Sequence, residues 1–119
     1  MLRKLVSNEV SPEDVALLVT QCREIILNRI EPTAIYLFGS AALGGFTTAS
    51  DLDIAVVLES QEAIKIARKK LCGLAAALDC TIDILYYTPS SLAKGQQHGG
   101  ICEVIVNEGR KIYDSKTVI

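Results

Sequence analysis

The chain is short of the residues on which several common chemistries depend. It has one histidine, no tryptophan and only four cysteines in 119 residues. His98 stands between Gln97 and Gly99 with no partner base or nucleophile near it in sequence, so it reads as a surface histidine. The cysteines, Cys22, Cys72, Cys80 and Cys102, form no Cys-x-x-Cys pair and group with no histidine. That spacing argues against a zinc site, and the aliphatic richness of the chain argues against a disulfide framework. Four reduced thiols in or near a core are expected. Positive charge is not in excess either: 12 Lys and Arg face 14 Asp and Glu, giving a net charge of −2. With a pI of about 5.3, no strong binding to nucleic acid through phosphate neutralisation is expected of the chain alone. No apolar run approaches the ~18 residues of a membrane span. The opening Met1-Leu2-Arg3-Lys4-Leu5 lacks the apolar stretch of a signal peptide. A cytoplasmic protein without membrane contact is expected.

What remains is a globular composition, 50% hydrophobic and 22% charged, in a length suited to one domain spanning residues 1–119. Ser11-Pro12-Glu13-Asp14 carries a helix start: a capping serine, a proline at the first helical position and acids in the first turn. Val15, Leu18, Cys22, Ile25 and Ile26 recur at helical spacing up to Glu31-Pro32. Ala34 to Phe38 reads as a strand closed by Gly39, and residues 39–50 as a loop or short turn of helix. Leu52 to Leu58 reads as a second strand. A helix capped by Ser60 then carries one apolar stripe from Ile64 to Leu78. Thr81 to Tyr87 reads as a third strand, with Tyr86 and Tyr87 packing on it. A short helix over Ser90–Lys94, a helix over Ile101–Asn107 stopped by Gly109, and a short strand at Lys111–Tyr113 complete the order. The pattern predicts an α+β fold, a small mixed β-sheet covered by helices.

Acids inside apolar strands need a reason. Asp51 and Asp53 are two residues apart, so their side chains leave the same face of a strand. Asp83 opens the next strand, and the helical segment between them suits a crossover that leaves the two strands parallel. Parallel neighbours bring their N-terminal ends together. The short connection from the first strand to the second favours an antiparallel pair, which delivers Gly39 and Ser40 to the same edge. Three close carboxylates repel one another unless a cation neutralises them. Oxygen ligands without nearby His or Cys suit Mg²⁺ or Mn²⁺, metals commonly shared with substrate phosphates in phosphoryl transfer. Gly39-Ser40 offers a backbone that a phosphate can approach, and a hydroxyl donor. Each acid alone reads most simply as a solvated surface group; the set of three, with Gly-Ser at one edge, favours a metal site. Gly39 and Gly44 have the spacing of a P-loop, but Gly45 stands where its lysine belongs. Lys65, Arg68, Lys69 and Lys70 read as a solvated helix face from which one side chain could reach a triphosphate.

The run Phe38-Gly39-Ser40-Ala41-Ala42-Leu43-Gly44, followed by Ser50-Asp51-Leu52-Asp53-Ile54-Ala55-Val56, closely resembles the minimal nucleotidyltransferases of the DNA polymerase beta superfamily. Asp83 in Thr81-Ile82-Asp83-Ile84 falls where that family carries a third acid, and Asn107 to Tyr113 looks like its usual ending. The resemblance implies the polymerase-beta-like nucleotidyltransferase fold. It also implies transfer of a nucleoside monophosphate, AMP from ATP by preference, to an acceptor hydroxyl. Asp51, Asp53 and Asp83 would be metal ligands and catalytic acids, with Asp83 helping to activate the nucleophile. Gly39 and Ser40 would contact the nucleotide phosphates. Many members have arginine where this chain has Leu43, and residues 39–50 contain no basic side chain. The resemblance also implies a partner, a small all-helical HEPN-type protein that an antitoxin-like chain of this length would modify or simply bind. Association with further copies of the chain is left open.

Overall fold

A computed structural model describes residues 8–116. Among them the elements follow the order α1 (Pro12–Arg29), β1 (Ala34–Phe38), α2 (Ser40–Leu43), β2 (Leu52–Val57), α3 (Gln61–Lys70), α4 (Leu74–Leu78), β3 (Ile82–Tyr87), α5 (Pro89–Gln97), α6 (Ile101–Glu108) and β4 (Arg110–Asp114). The strands form one sheet in the order β3-β2-β1-β4. β1 runs antiparallel to both its neighbours, and β2 and β3 are parallel. The mixed sheet predicted from connection lengths is the one observed.

α1 starts as its sequence demands. The Ser11 hydroxyl accepts from the Asp14 N–H at 3.2 Å, Pro12 fills a position whose N–H would be unpaired, and Glu13 and Asp14 sit at the positive end of the helix. Its buried stripe, Val15, Val19, Cys22 and Ile26, packs with Ile35 and Leu37 of β1 and with Leu52, Ile54 and Val56 of β2. Ile64, Ala67 and Leu74 of α3 and α4 complete that cluster. The opposite face is thinner. There Leu92 of α5 and Cys102 and Ile105 of α6 cover Ala34, Phe38, Ala55 and Val57.

Two helices differ from the sequence reading. The single helix expected from Ser60 to Leu78 is broken into α3 and α4, because Gly73 takes a φ of +86° that a right-handed helix does not accommodate. The apolar stripe runs across the break, and for that reason periodicity did not show it. The short helix expected over Ser90–Lys94 runs from Pro89 to Gln97. Thr88 and Ser91 cap it reciprocally: the Thr88 hydroxyl accepts from the Ser91 N–H at 3.1 Å, and the Ser91 hydroxyl accepts from the Thr88 N–H at 2.9 Å. All four cysteines are free thiols, and burial pushes Cys22 up to about 12, so it stays protonated at neutral pH. Among the described residues no helix is long and apolar enough to cross a membrane.

Candidate active site

Strand register assembles the site. The parallel β2–β3 ladder sets Asp53 opposite Asp83. The antiparallel β1–β2 ladder sets Phe38 against Asp53, so the chain leaves β1 at that same end through Gly39 and Ser40. The period of two puts Asp51, Asp53 and Asp83 on the face of the sheet that carries Phe38 and Ala55, next to the layer those residues form with Ile105. Asp53 is partly buried; Asp51 and Asp83 are exposed.

Gly39 is confined in two ways. Its φ of +71° is strained for any side chain, and a Cβ there would run into Oδ2 of Asp53. The backbone and the carboxylate therefore lie in direct apposition. The Ser40 hydroxyl, partly buried at the start of α2, makes no hydrogen bond to another described residue. Burial raises the pKa of Asp53 above the ordinary carboxylate value, and repulsion from Asp83 and then Asp51 raises it further. Asp53 thus lies within the field of both other acids.

They do not form a closed cage. Among the described residues no three His, Cys, Asp or Glu side chains gather tightly enough to hold a metal ion as they stand. The donor set itself, carboxylate oxygens without thiol or imidazole, fits a hard divalent cation such as Mg²⁺ or Mn²⁺. The acid end is open surface. A cleft of about 660 Å³ lies behind it, lined by Phe46, Thr48, Ser50, Asp79 and Ile82 among others.

The loop before Asp51 holds residues to which the sequence reading gave no role. The Thr47 N–H donates to the Ser50 hydroxyl at 2.9 Å, the Ser50 N–H to the Thr47 carbonyl at 3.0 Å, and the Ala49 N–H to the Thr47 hydroxyl at 3.2 Å. Buried Phe46 anchors the loop. Residues 8–10 strap it down: the Val10 N–H donates to the Phe46 carbonyl and the Thr48 N–H to the Asn8 carbonyl, each at 2.9 Å. The Thr-Thr-Ala-Ser run was the available signal, since such hydroxyls bond to the backbone a few residues away.

The basic helix face is solvated as read from the sequence, with Lys65, Arg68, Lys69 and Lys70 all exposed. Lys70 lines a concavity with Ile30 and Leu58, at the end of β2 opposite the acids. The Arg68 guanidinium lies over the Tyr86 ring, 4.7 Å from its centroid. Neither is placed to meet a triphosphate at Gly39-Ser40, because α3 begins beyond the far end of β2 and these side chains pack there or on β3.

A mixed sheet with paired acids at one strand end, faced by a Gly-Ser turn, is the arrangement of a nucleotidyl-transferring domain. The chain belongs to the polymerase beta nucleotidyltransferase family, whose model matches residues 20–117. Among solved structures it is similar to a chain of a toxin–antitoxin complex with AMP-PNP, at 26% identity and a TM-score of 0.56, covering 82% of this chain and 73% of that one. It is likewise similar to a chain in the structure of a tri-AMPylated Shewanella oneidensis HEPN toxin in complex with its MNT antitoxin, at 25% identity and a TM-score of 0.53, covering 86% and 74% of the two chains. A Sulfolobus solfataricus protein of 14% identity, TM-score 0.55, with 89% and 86% covered, shares the fold. A comparison with curated proteins finds no match. The minimal nucleotidyltransferase character read from the Gly-Ser and Ser-Asp-x-Asp motifs stands, and the protein is a nucleotidyltransferase.

Proposed function

We propose that the protein transfers AMP from ATP to a hydroxyl on a small all-helical HEPN-type partner, with Mg²⁺ or Mn²⁺ held by Asp51, Asp53 and Asp83. The observation that carries this reading is the apposition of Gly39 to the Asp53 carboxylate, with Asp83 in register beside it. A phosphate seated against the Gly39-Ser40 backbone would meet the acids directly, and the Ser40 hydroxyl, which bonds to no other described residue, would donate to it. Divalent metal bound there would neutralise phosphate charge and lower the barrier to in-line displacement. The acceptor oxygen forms a bond to the α-phosphorus, the bond to pyrophosphate breaks, and Asp83 takes the acceptor proton. The choice of AMP and of a HEPN partner is supported by the relatives, one with AMP-PNP and one with an AMPylated HEPN toxin. Cytoplasmic residence agrees with the free thiols.

The test is incubation with α-labelled ATP, Mg²⁺ and the partner, reading label on protein. Asp83→Asn should abolish transfer while leaving appreciable ATP binding, since Asp51 and Asp53 remain. Transfer that survives the substitution removes Asp83 from the mechanism. A second reading, an antitoxin-like module that neutralises its partner by contact, draws on Leu43: it is 64% exposed beside the Gly-Ser turn, and no basic side chain occupies residues 39–50. Tight partner binding without label transfer from the parent protein would favour it.

A further inference from the structure

Asp51 and Asp53 are held in different ways. Asp53 is fixed on three sides: β2 sets it against Phe38 of β1 and Asp83 of β3, and its carboxylate lies against Gly39. Asp51 has no such support. It stands one residue before β2 begins, it is exposed, and among the described residues its carboxylate makes no hydrogen bond. Its position is set by the backbone on either side. Downstream, the Leu52 N–H donates to the Thr81 carbonyl at 2.8 Å. Upstream stands the turn of residues 47–50.

Ser50 closes that turn with both its N–H and its hydroxyl. The N–H donates to the Thr47 carbonyl at 3.0 Å, and the hydroxyl accepts from the Thr47 N–H at 2.9 Å. The strap leaves the Thr47 N–H to this use, because residues 8–10 take up the Phe46 carbonyl and the Thr48 N–H on either side of it. The Thr47 hydroxyl, 3.2 Å from that of Ser50, accepts in turn from the Ala49 N–H. Buried Phe46 and the strap anchor the far side of the turn, so closing it fixes where the chain enters Asp51. The period of two turns the Ser50 side chain to the face opposite Asp51, where it lines the cleft with Thr48 and Ile82.

We infer that Ser50 is a positioning residue: by holding the 47–50 turn closed, its hydroxyl keeps Asp51 at the distance from Asp53 that a shared divalent cation requires. The inference rests on the proposed reading of those two acids as cation ligands. Oxygen ligands of Mg²⁺ must approach to about 2.1 Å in near-octahedral geometry, so a displacement of about 1 Å at Asp51 removes one of them. The acids do not stand as a closed cage, and a cation must draw Asp51 toward Asp53 as it binds. A turn already closed adds little ordering cost to that step, whereas a loose one would lose affinity to it. Without the Ser50 hydroxyl, the N–H of half-buried Thr47 loses its acceptor and the turn loosens. Ser50 acts through Asp51, since its own side chain faces away from the acids.

Mn²⁺ titration of the full chain without nucleotide, followed by water proton relaxation, reads the effect apart from catalysis. Ser50→Ala should weaken Mn²⁺ binding about tenfold, the usual loss when a group that orients a metal ligand is removed. Ser50→Thr should restore the parent affinity, since it keeps the hydroxyl and the cleft has room for its methyl group. Urea unfolding of both variants separates this from a loss of fold: a purely structural role lowers the midpoint and leaves the Mn²⁺ affinity of the folded protein unchanged. Thr47→Val removes the second hydroxyl of the turn while keeping its shape, and it decides the matter if Ser50→Ala does not fold. Weaker Mn²⁺ binding by it then supports the inference, and parent-like binding overturns it. Asp53→Asn is the control on the site. Mn²⁺ binding left intact by Asp53→Asn overturns the cation reading and this inference with it. Binding lost in Asp53→Asn but unchanged in Ser50→Ala, or weakened equally in Ser50→Ala and Ser50→Thr, overturns the inference alone.

Discussion

The two faces of the sheet are built to different ends. On one, α1, α3 and α4 press a continuous aliphatic cluster onto Leu52, Ile54 and Val56, each fully shielded from solvent. On the other, α5 and α6 cover only a strip, and beyond Phe38 and Ala55 that face ends in Asp53 and Asp83. The first face accumulates hydrophobic stabilisation, about 25 cal/mol for each Å² of apolar surface removed from water. The second carries carboxylates held near one another, an arrangement that weakens the fold. Placing them back to back lets a small chain tolerate a destabilising site, because the strands that present the acids are anchored from behind.

The sharpest way to break this comparison is Asp53→Asn. Nucleotide transfer should fall by about 10³-fold or more, which is ~4 kcal/mol of lost transition-state stabilisation. The melting temperature should hold or rise. A variant that kept transfer within about tenfold of the parent would separate the acids from the chemistry. On the opposite face Ile54→Ala should cost about 3 kcal/mol in urea unfolding, with ATP affinity of the folded fraction unchanged. Leu92→Ala, in the thinner layer, should cost about 2 kcal/mol; a larger loss there than at Ile54 would reverse the ranking of the faces.

Smaller effects sharpen the picture at the Gly-Ser turn. Ser40→Ala should weaken ATP binding by roughly 1–2 kcal/mol, the value of one hydrogen bond to a charged group, as read by calorimetric titration. Gly39→Val should weaken it more, since its Cβ meets Asp53. The smallest effect is the pH dependence. Asp53 has a folded-state pKa raised by burial and by its acidic neighbours, so the native state holds that proton more tightly than the unfolded chain does. Its contribution therefore favours folding as pH drops through the raised folded value. It is fully present below the unfolded value and is lost as pH rises again. Unfolding curves from pH 7 downward should show this component in the parent and lack it in Asp53→Asn.

The sequence made the candidate site legible because an aspartate inside Leu-Asp-Ile-Ala-Val-Val has no packing reason to be there. Connection lengths then fixed which strands were parallel, and hence which ends met. Other features depended on contacts that local pattern does not encode. The break at Gly73 lay beneath an apolar stripe that crossed it in phase. The solvated face of Lys65, Arg68, Lys69 and Lys70 was legible, but helical spacing does not say which end of the sheet that face overlooks, and Lys70 lines a concavity at the end opposite the acids. The pinning of Thr48 by Asn8 joins residues 40 apart, beyond the reach of any motif.

That last contact orders events in time. Closing a loop of 40 residues costs chain entropy before any bond repays it. The strap at residues 8–10 has little buried surface of its own with which to nucleate. Helix α1 and the β1–β2 hairpin can form from nearer contacts, whereas the turn that aims Asp51 must wait until both have docked. Its side chains should show φ-values near zero, and it should be among the earliest parts to open on unfolding. On the proposed role of Asp51, the molecule would then acquire its fold before its chemistry, and lose its chemistry before its fold.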